Sequence, residues 1–214
     1  MHYFVKSALG AAVALSLSTS AMAEVRTSAF ASLSDIKFSV QDLTPSDGRV
    51  PGFVFGERLT LYSVFNDANE HNDIVLEPTS PTPVNFLLDY APGASALQSD
   101  GKLGSYTSSV TANTGNGRWD TFYNLSSGGW DSQKIVLKAQ SVLTVSGLAS
   151  GSVSRFVPST TADRYTENEM LHSTVSVNLT YGSGSGPGQS FYQSLALGEF
   201  ETHEAFNNEF SLLL

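Results

Sequence analysis

Alternation of apolar and polar side chains along residues 171–181 constrains the fold more than any other feature of this chain. Apolar side chains occupy one parity, at Leu171, Val175, Val177, Leu179 and Tyr181. Polar side chains occupy the other parity, at His172, Thr174, Ser176, Asn178 and Thr180. A repeat of two is typical of a β-strand with one buried face and one solvent face. Residues 134–146 alternate in the same way and are predicted to form a second strand.

Further strand candidates follow one another along the chain and are separated by segments rich in Gly, Pro, Ser and Asn. They cover residues 35–43, 53–65, 73–77, 84–90, 104–112, 118–125 and 189–200. Helix-type periodicity is almost absent. Many short strands with Gly and Pro between them predict an all-β fold, an antiparallel β-sandwich that is jelly-roll-like.

The N-terminal segment has the pattern of a secretory signal peptide. Lys6 precedes an apolar run over residues 8–17, and Ala21-Met22-Ala23 completes a small-residue cleavage motif. The apolar run is too short to span a bilayer, which takes about 20 residues. The sequence therefore predicts a signal peptide over residues 1–23 and one β-sandwich domain over residues 24–214. The mature protein is expected in the periplasm or outside the cell.

Composition excludes several classes of protein. The chain has no cysteine, so disulfides, thiolate nucleophiles and cysteine-ligated metals are excluded. Without Lys6, 10 basic residues face 20 acidic ones, a net charge of about -10 with neutral histidines. Binding to nucleic acid or to an anionic membrane needs clustered cations, so neither is expected. No second long apolar stretch follows, so no transmembrane anchor is predicted in the mature chain.

A loop between two apolar runs could be either an ion-binding site or a simple turn. It covers residues 42–48, Asp-Leu-Thr-Pro-Ser-Asp-Gly. An EF-hand counted from Asp42 needs Gly at its sixth position and Glu at its twelfth, but these are Asp47 and Phe53. Pro45 and Gly48 suit a type I turn instead. The turn is the favoured interpretation, and an ion site at Asp42 and Asp47 is the alternative.

The densest polar cluster, residues 66–73, supplies candidate metal ligands. Its carboxylates, Asp67, Glu70 and Asp73, are oxygen donors of the kind that Ca²⁺ prefers. The alternative is an inter-strand loop, because Asn and Asp cap their own backbone and tolerate left-handed conformations.

Catalytic motifs are not apparent in the sequence. The histidines outside the predicted signal peptide, His71, His172 and His203, lie far apart and form no His-x-x-x-His pair. Residues 182–186, Gly-Ser-Gly-Ser-Gly, place glycine where a nucleophile elbow needs serine. A glycosidase needs only two carboxylates, and the sequence does not exclude such a pair. We expect a non-enzymatic protein without a cofactor.

Two tryptophans, each followed by an aspartate, are the candidate ligand-binding residues. Trp119 with Asp120 and Trp130 with Asp131 could stack on a sugar ring and accept hydrogen bonds from its hydroxyls. The alternative, that both tryptophans fill the core, is favoured because aromatic side chains dominate core burial.

Three segments resemble bacterial PEP-CTERM-type proteins, which are exported β-rich proteins of the cell surface or biofilm matrix. They are the small-residue run 28–34, the strand and turn 38–48, and the run 141–150. The family's Val-Pro-Glu-Pro motif and C-terminal sorting anchor are missing, which implies a released relative or a shortened chain. The resemblance implies no catalytic residues.

These observations lead to two functional expectations. The first is an exported, non-enzymatic β-sandwich protein of the cell surface or the extracellular matrix, with polysaccharide or another matrix component as its partner. The alternative is a secreted carbohydrate-binding module.

Overall fold

A computed structural model describes residues 25–66, 71–76, 83–90, 93–114, 125–156, 172–180, 188–197 and 202–214. Within these ranges the chain forms strands and one turn of 3-10 helix, Pro45–Asp47, and no α-helix. The strands are β1 (Val25–Asp42), β2 (Phe53–Asn66), β3 (His71–Leu76), β4 (Val84–Tyr90), β5 (Gly93–Ser99), β6 (Tyr106–Thr114), β7 (Leu125–Leu137), β8 (Ser141–Phe156), β9 (His172–Thr180), β10 (Gly188–Ala196) and β11 (His203–Leu213).

The described part contains no helix with the length and apolarity that crossing a membrane requires. Residues 1–23, where the sequence predicts a signal peptide, lie outside the described ranges. The predicted all-β class is confirmed for the described residues, and their strand pairs are antiparallel.

The strands form three sheets. The large sheet has six strands in the order β11-β8-β1-β6-β5-β4, the three-stranded sheet has the order β3-β2-β7, and the two-stranded sheet pairs β10 with β9. Strands β1 and β8 run side by side at the centre of the large sheet, from Arg26 opposite Phe156 to Asp42 opposite Ser141.

One face of the large sheet carries the core, and the two smaller sheets cover its two halves. The three-stranded sheet packs over β4, β5 and β6 through a buried cluster of Tyr62, Val64, Leu88, Leu97 and Tyr106. The two-stranded sheet packs over β8 and β11 through Ala149, Val175, Phe210 and Leu212. A third cluster joins Ala29, Val153 and Leu197. Removal of this apolar area from water is the main stabilising contribution.

Two glycines of β8 let aromatic rings of β11 lie flat on the inner face. Gly147 stands opposite Phe210, and Gly151 stands opposite Phe206. A Cβ atom at Gly147 would lie 2.7 Å from Ile36 Cδ1 and 2.8 Å from Phe210 Cζ, closer than packed carbons approach. Gly151 packs against Phe206 in the same way. These glycines are therefore packing residues within a strand.

Two bulges bend the strands at one end of the molecule. The register of β1 shifts between Ser34 and Lys37, and Asp35 within the bulge has a φ of 55°. Beyond this bulge β1 pairs with β8 alone. Strand β2 shifts register between Phe55 and Arg58. A bulge increases local bending and twist, and here it brings the Phe38 and Phe55 rings to a centroid distance of 5.1 Å.

The loop after β1 is a turn held by its own carboxylates. Asp42 Oδ1 accepts the Thr44 N–H at 2.9 Å, and Asp47 Oδ1 accepts the Arg49 N–H at 2.8 Å. The Thr44 carbonyl accepts the Asp47 N–H at 3.0 Å, so the turn closes one residue before Gly48. Gly48 follows in the left-handed region, with a φ of 72°. The turn interpretation is confirmed.

Several strand predictions are confirmed, and one is wrong. Strand β4 coincides with residues 84–90, and β9 buries Ser173 and Val175 while it exposes the alternate residues. The single strand predicted over residues 134–146 is wrong, because a turn at residues 138–140 separates β7 from β8. Gln140 takes the left-handed conformation, with a φ of 61°, and no Gly or Pro announces that turn.

Substitution of Gly147 by Ala tests the packing of β8 against β11. We expect the free energy of unfolding to fall by about 1–3 kcal/mol, because an added methyl group displaces Ile36 and the Phe210 ring. Gly128→Ala in β7 is the matched control, since a Cβ there has no neighbour within 4 Å among the described residues and should leave stability unchanged or slightly higher. Urea unfolding of both variants measures the difference, and equal effects would contradict the packing role.

Candidate functional site

The candidate site lies on β7, whose two faces have different environments. Asp131 points towards the large sheet, and its side chain is only 6% exposed. Trp130 points to solvent from the opposite face of the same strand and is 50% exposed. Because neighbouring residues of a strand point to opposite faces, the predicted Trp130–Asp131 pair does not act as one binding unit.

Asp131 is the centre of a buried hydrogen-bond network. Arg58 donates to both carboxylate oxygens, from Nε at 3.0 Å and from Nη2 at 2.9 Å, and Thr60 Oγ1 also donates to Asp131. The Gly104 N–H donates to the carboxylate at 2.9 Å, and Arg58 Nη1 donates to the Gly101 carbonyl at 2.9 Å. Gly101 and Gly104 belong to the turn between β5 and β6, so the network ties the three-stranded sheet to the large sheet.

The network keeps Asp131 ionised. Burial disfavours its charged form, but the hydrogen bonds from Arg58, Thr60 and the Gly104 N–H outweigh that effect and lower the pKa of Asp131. Burial likewise opposes the charge of Arg58, and Asp131 outweighs it and raises the pKa of that guanidinium. Burial and then the Asp131 carboxylate raise the pKa of Tyr106. Near neutral pH these groups hold fixed protonation states, which suits a structural role.

The outer face of the same sheet forms a shallow apolar depression. Trp130 stands opposite Leu61, and Gly128 stands opposite Ser63. The depression has a volume of about 370 Å³ and is lined by Leu61, Tyr62, Ser63, Gly128, Gly129 and Trp130. Because Gly128 has no side chain and no described residue comes within 4 Å of the position of a Cβ atom there, a planar ligand can reach the face of the sheet beside the indole.

The other predicted site residues lie outside the part that the structure describes at side-chain level. They are Trp119, Asp120, Asp67 and Glu70, together with Asp73 in β3. Within the described ranges, no group of three or more His, Asp or Glu side chains could hold a metal ion. His172 and His203 are exposed on different strands, β9 and β11.

Arg58 is absent from the site residues predicted from the sequence, although the sequence carries a signal for it. Arg58 has the same parity as Tyr62 and Val64, which are buried in the core. A charged residue on the apolar parity of a strand indicates a buried partner, since a buried charge without one is costly. The partner itself, Asp131, lies 73 residues away and had no such signal.

Searches with protein-family models, among curated proteins and among solved structures found no match to this chain. The functional conclusion therefore depends on the arrangement of its own side chains. On the inner face of β7, Asp131 is already bonded to Arg58 and Gly104, whereas on the outer face Trp130 is exposed to solvent.

Substitution of Asp131 by Asn tests the buried network. We expect the free energy of unfolding at neutral pH to fall by about 3 kcal/mol, because Arg58 keeps its charge and loses its counter-charge. The double variant Arg58→Met, Asp131→Leu should recover at least half of that loss, since it leaves no buried charge. Urea unfolding measures both variants, and a double variant less stable than Asp131→Asn would contradict the account.

Acid unfolding of the Asp131→Asn variant tests whether the Asp131 carboxyl group is ionised in the folded protein. The folded pKa of Asp131 lies below its ordinary value of about 4, so its stabilisation is present above pH about 4 and is lost as the pH falls through the folded pKa. The Asp131→Asn variant should lose less stability than the wild type between neutral pH and pH about 2. Equal losses in the two proteins would show that Asp131 is not held ionised by the fold.

Proposed function

We propose that this protein is an exported, non-enzymatic β-sandwich of the cell surface or extracellular matrix, and that it binds polysaccharide. The observation that carries the proposal is the half-exposed indole of Trp130 beside Gly128, over which no described residue lies. An aromatic ring that lies on a flat sheet face offers a stacking surface for the apolar face of a sugar ring.

The residues around Trp130 favour a binding surface, because they make Trp130 part of a patch and not a single exposed apolar residue. Tryptophan is usually well buried, and a single exposed apolar residue needs no explanation, whereas a contiguous apolar patch marks an interaction site. Leu59, with the same outward parity on β2, is 48% exposed, and Leu61 stands directly opposite Trp130. The patch thus extends across two neighbouring strands.

The sandwich assignment is part of the proposal. It is supported by the two smaller sheets, which bury their apolar faces against one side of the large sheet. The jelly-roll-like topology expected from the sequence remains a prediction. The non-enzymatic assignment is supported by Asp131, the most buried carboxylate of the candidate site, which Arg58 holds as an ion.

A carbohydrate-binding module is the second candidate, and the same Trp130 surface favours it. The two candidates differ in what the sugar contact achieves. A matrix protein would use it to join a polymer network, whereas a module would deliver an attached activity to its substrate.

Substitution of Trp130 by Ala tests polysaccharide binding. We expect retention on insoluble polysaccharides to fall about tenfold or more, because truncation of a central tryptophan removes most of a stacking contact. Tyr192→Ala is the matched control, since Tyr192 is an exposed aromatic (67%) on the two-stranded sheet. Pull-down on a panel of neutral and acidic polysaccharides measures retention. Absence of binding to every member of the panel would overturn the proposal.

Export has its own test. The cleavage motif predicts that protein recovered from the periplasm or the medium begins at Glu24. N-terminal sequencing of the exported protein checks this start. An Ala21→Leu, Ala23→Leu variant should accumulate uncleaved, because the processing site requires small residues. A cytoplasmic protein that begins at Met1 would contradict export.

A further inference from the structure

The outer face of β7 continues beyond Trp130 as a row of exposed side chains. Lys134 and Val136 share the outward parity of Trp130, Lys138 follows at the same parity directly after β7 ends at Leu137, and each is exposed. Val136 is 54% exposed and stands opposite Val54, which is 59% exposed. The apolar patch of Trp130, Leu59 and Leu61 is therefore one end of a longer surface that combines apolar and cationic groups.

The side-chain stems of Lys134 and Lys138 lie over two glycines, Gly56 and Gly52, which have no side chain to keep the stems away from the backbone. A Cβ atom at Gly56 would lie 3.3 Å from Cβ, Cγ and Cδ of Lys134, and one at Gly52 would lie 3.5 Å from Cε and Nζ of Lys138. The aliphatic stems thus cover the backbone of the neighbouring chain segment, while the ammonium groups remain at the surface. Among the described residues, neither ammonium group forms an ion pair with a carboxylate.

The charge of this row is opposite to that of the protein. The chain has a formal net charge of -9. At the outward parity after Trp130, the charged residues are Lys134 on β7 and Lys138 directly after its end, and Glu57 in the β2 bulge is an acidic neighbour. An anionic polymer is repelled by most of the surface and attracted to this strip, so charge complementarity selects the ligand.

The spacing of the row suits an extended chain. Trp130, Lys134 and Lys138 recur at every fourth residue, which is about 13 Å per step along a strand. A single sugar ring at Trp130 is too small to reach Lys138, about 26 Å away by the same rise. Several consecutive rings in one chain cover the distance.

We propose that the ligand is an acidic polysaccharide, a chain of sugar rings that carry carboxylate or sulfate groups, bound along the outer face of β7. One ring stacks on Trp130, and acidic groups further along the chain pair with Lys134 and Lys138. This inference rests on the proposed polysaccharide-binding function and specifies the class of its ligand. Single-stranded nucleic acid also combines rings with negative charge, and its binding is one outcome of the test below.

The test compares one polymer in two charge states. Polygalacturonate and its carboxyl-reduced form share a backbone and differ only in the acidic group. We expect the full-length protein to bind polygalacturonate at least tenfold more tightly, with an affinity that falls as salt rises. The Lys134→Gln, Lys138→Gln variant should lose this preference and most of its salt dependence. Isothermal titration calorimetry measures both quantities.

The matched control removes two positive charges elsewhere. Lys37→Gln, Lys102→Gln changes the net charge equally, with one lysine exposed on β1 and the other in the turn before β6. This variant should bind both polymers as the wild type does. Thermal unfolding of both double variants should give midpoints within a few degrees of the wild type, because the substituted side chains are exposed.

The outcomes separate this inference from the proposed function. Equal affinity for both polymers, unaffected by the lysine substitutions but lost in Trp130→Ala, would overturn the acidic-ligand inference and keep the polysaccharide function. No binding to either polymer, or to any other polysaccharide, would overturn the function itself. Binding of single-stranded DNA as tight as that of polygalacturonate, with the same lysine dependence, would overturn the assignment to a polysaccharide.

Discussion

The pairing of Arg58 with Asp131 determines the direction of every side chain on β7. Asp131 accepts two bonds from Arg58 on the adjacent β2 and one from the Gly104 N–H in the β5–β6 turn of the large sheet, so the odd-numbered residues of β7 face inwards. A slip of one residue would turn them outwards and expose a paired charge. The extra residue of the β2 bulge lies between Phe55 and Arg58, and β7 itself runs without a bulge. Trp130 and the lysines beyond it therefore all face solvent.

A buried ion pair is weak evidence for stability, and its value here lies in the register that it specifies. The smaller sheets contact the large sheet through apolar clusters, and apolar contacts alone tolerate sliding because they have no direction. The bond from Arg58 to the Gly101 carbonyl adds a directional link between the layers. Since both partners are needed to satisfy each other, loss of one is more harmful than replacement of both.

Sequence reasoning succeeds here where one strand carries its own signal. Strand β9 is one example, because its alternation depends only on residues within it. It fails where a partner decides the conformation: the turn at Gln140 lacks Gly and Pro, and residues 134–146 were predicted as one strand. Gly147 would be expected to weaken a strand, yet β11 requires it because the Phe210 ring fills its place. The opposite orientations of Trp130 and Asp131 follow from period two, but only the structure shows which of them is buried.

The outer faces of the large sheet and of the three-stranded sheet differ in how far their side chains are already paired with one another. On the outer face of the large sheet, hydroxyls bond to one another across strands, as between Ser28 and Ser154 at 2.6 Å and between Ser32 and Thr107 at 3.3 Å. This face also exposes apolar side chains such as Leu87 (62%) and Leu213 (51%), but over the hydroxyl pairs a partner would have to replace bonds that already exist. The outer face of β7 carries an indole and apolar side chains whose contact with water is unfavourable. A ligand gains more free energy by covering the outer face of β7 than by covering these hydroxyl pairs, which is why we place the binding surface on β7.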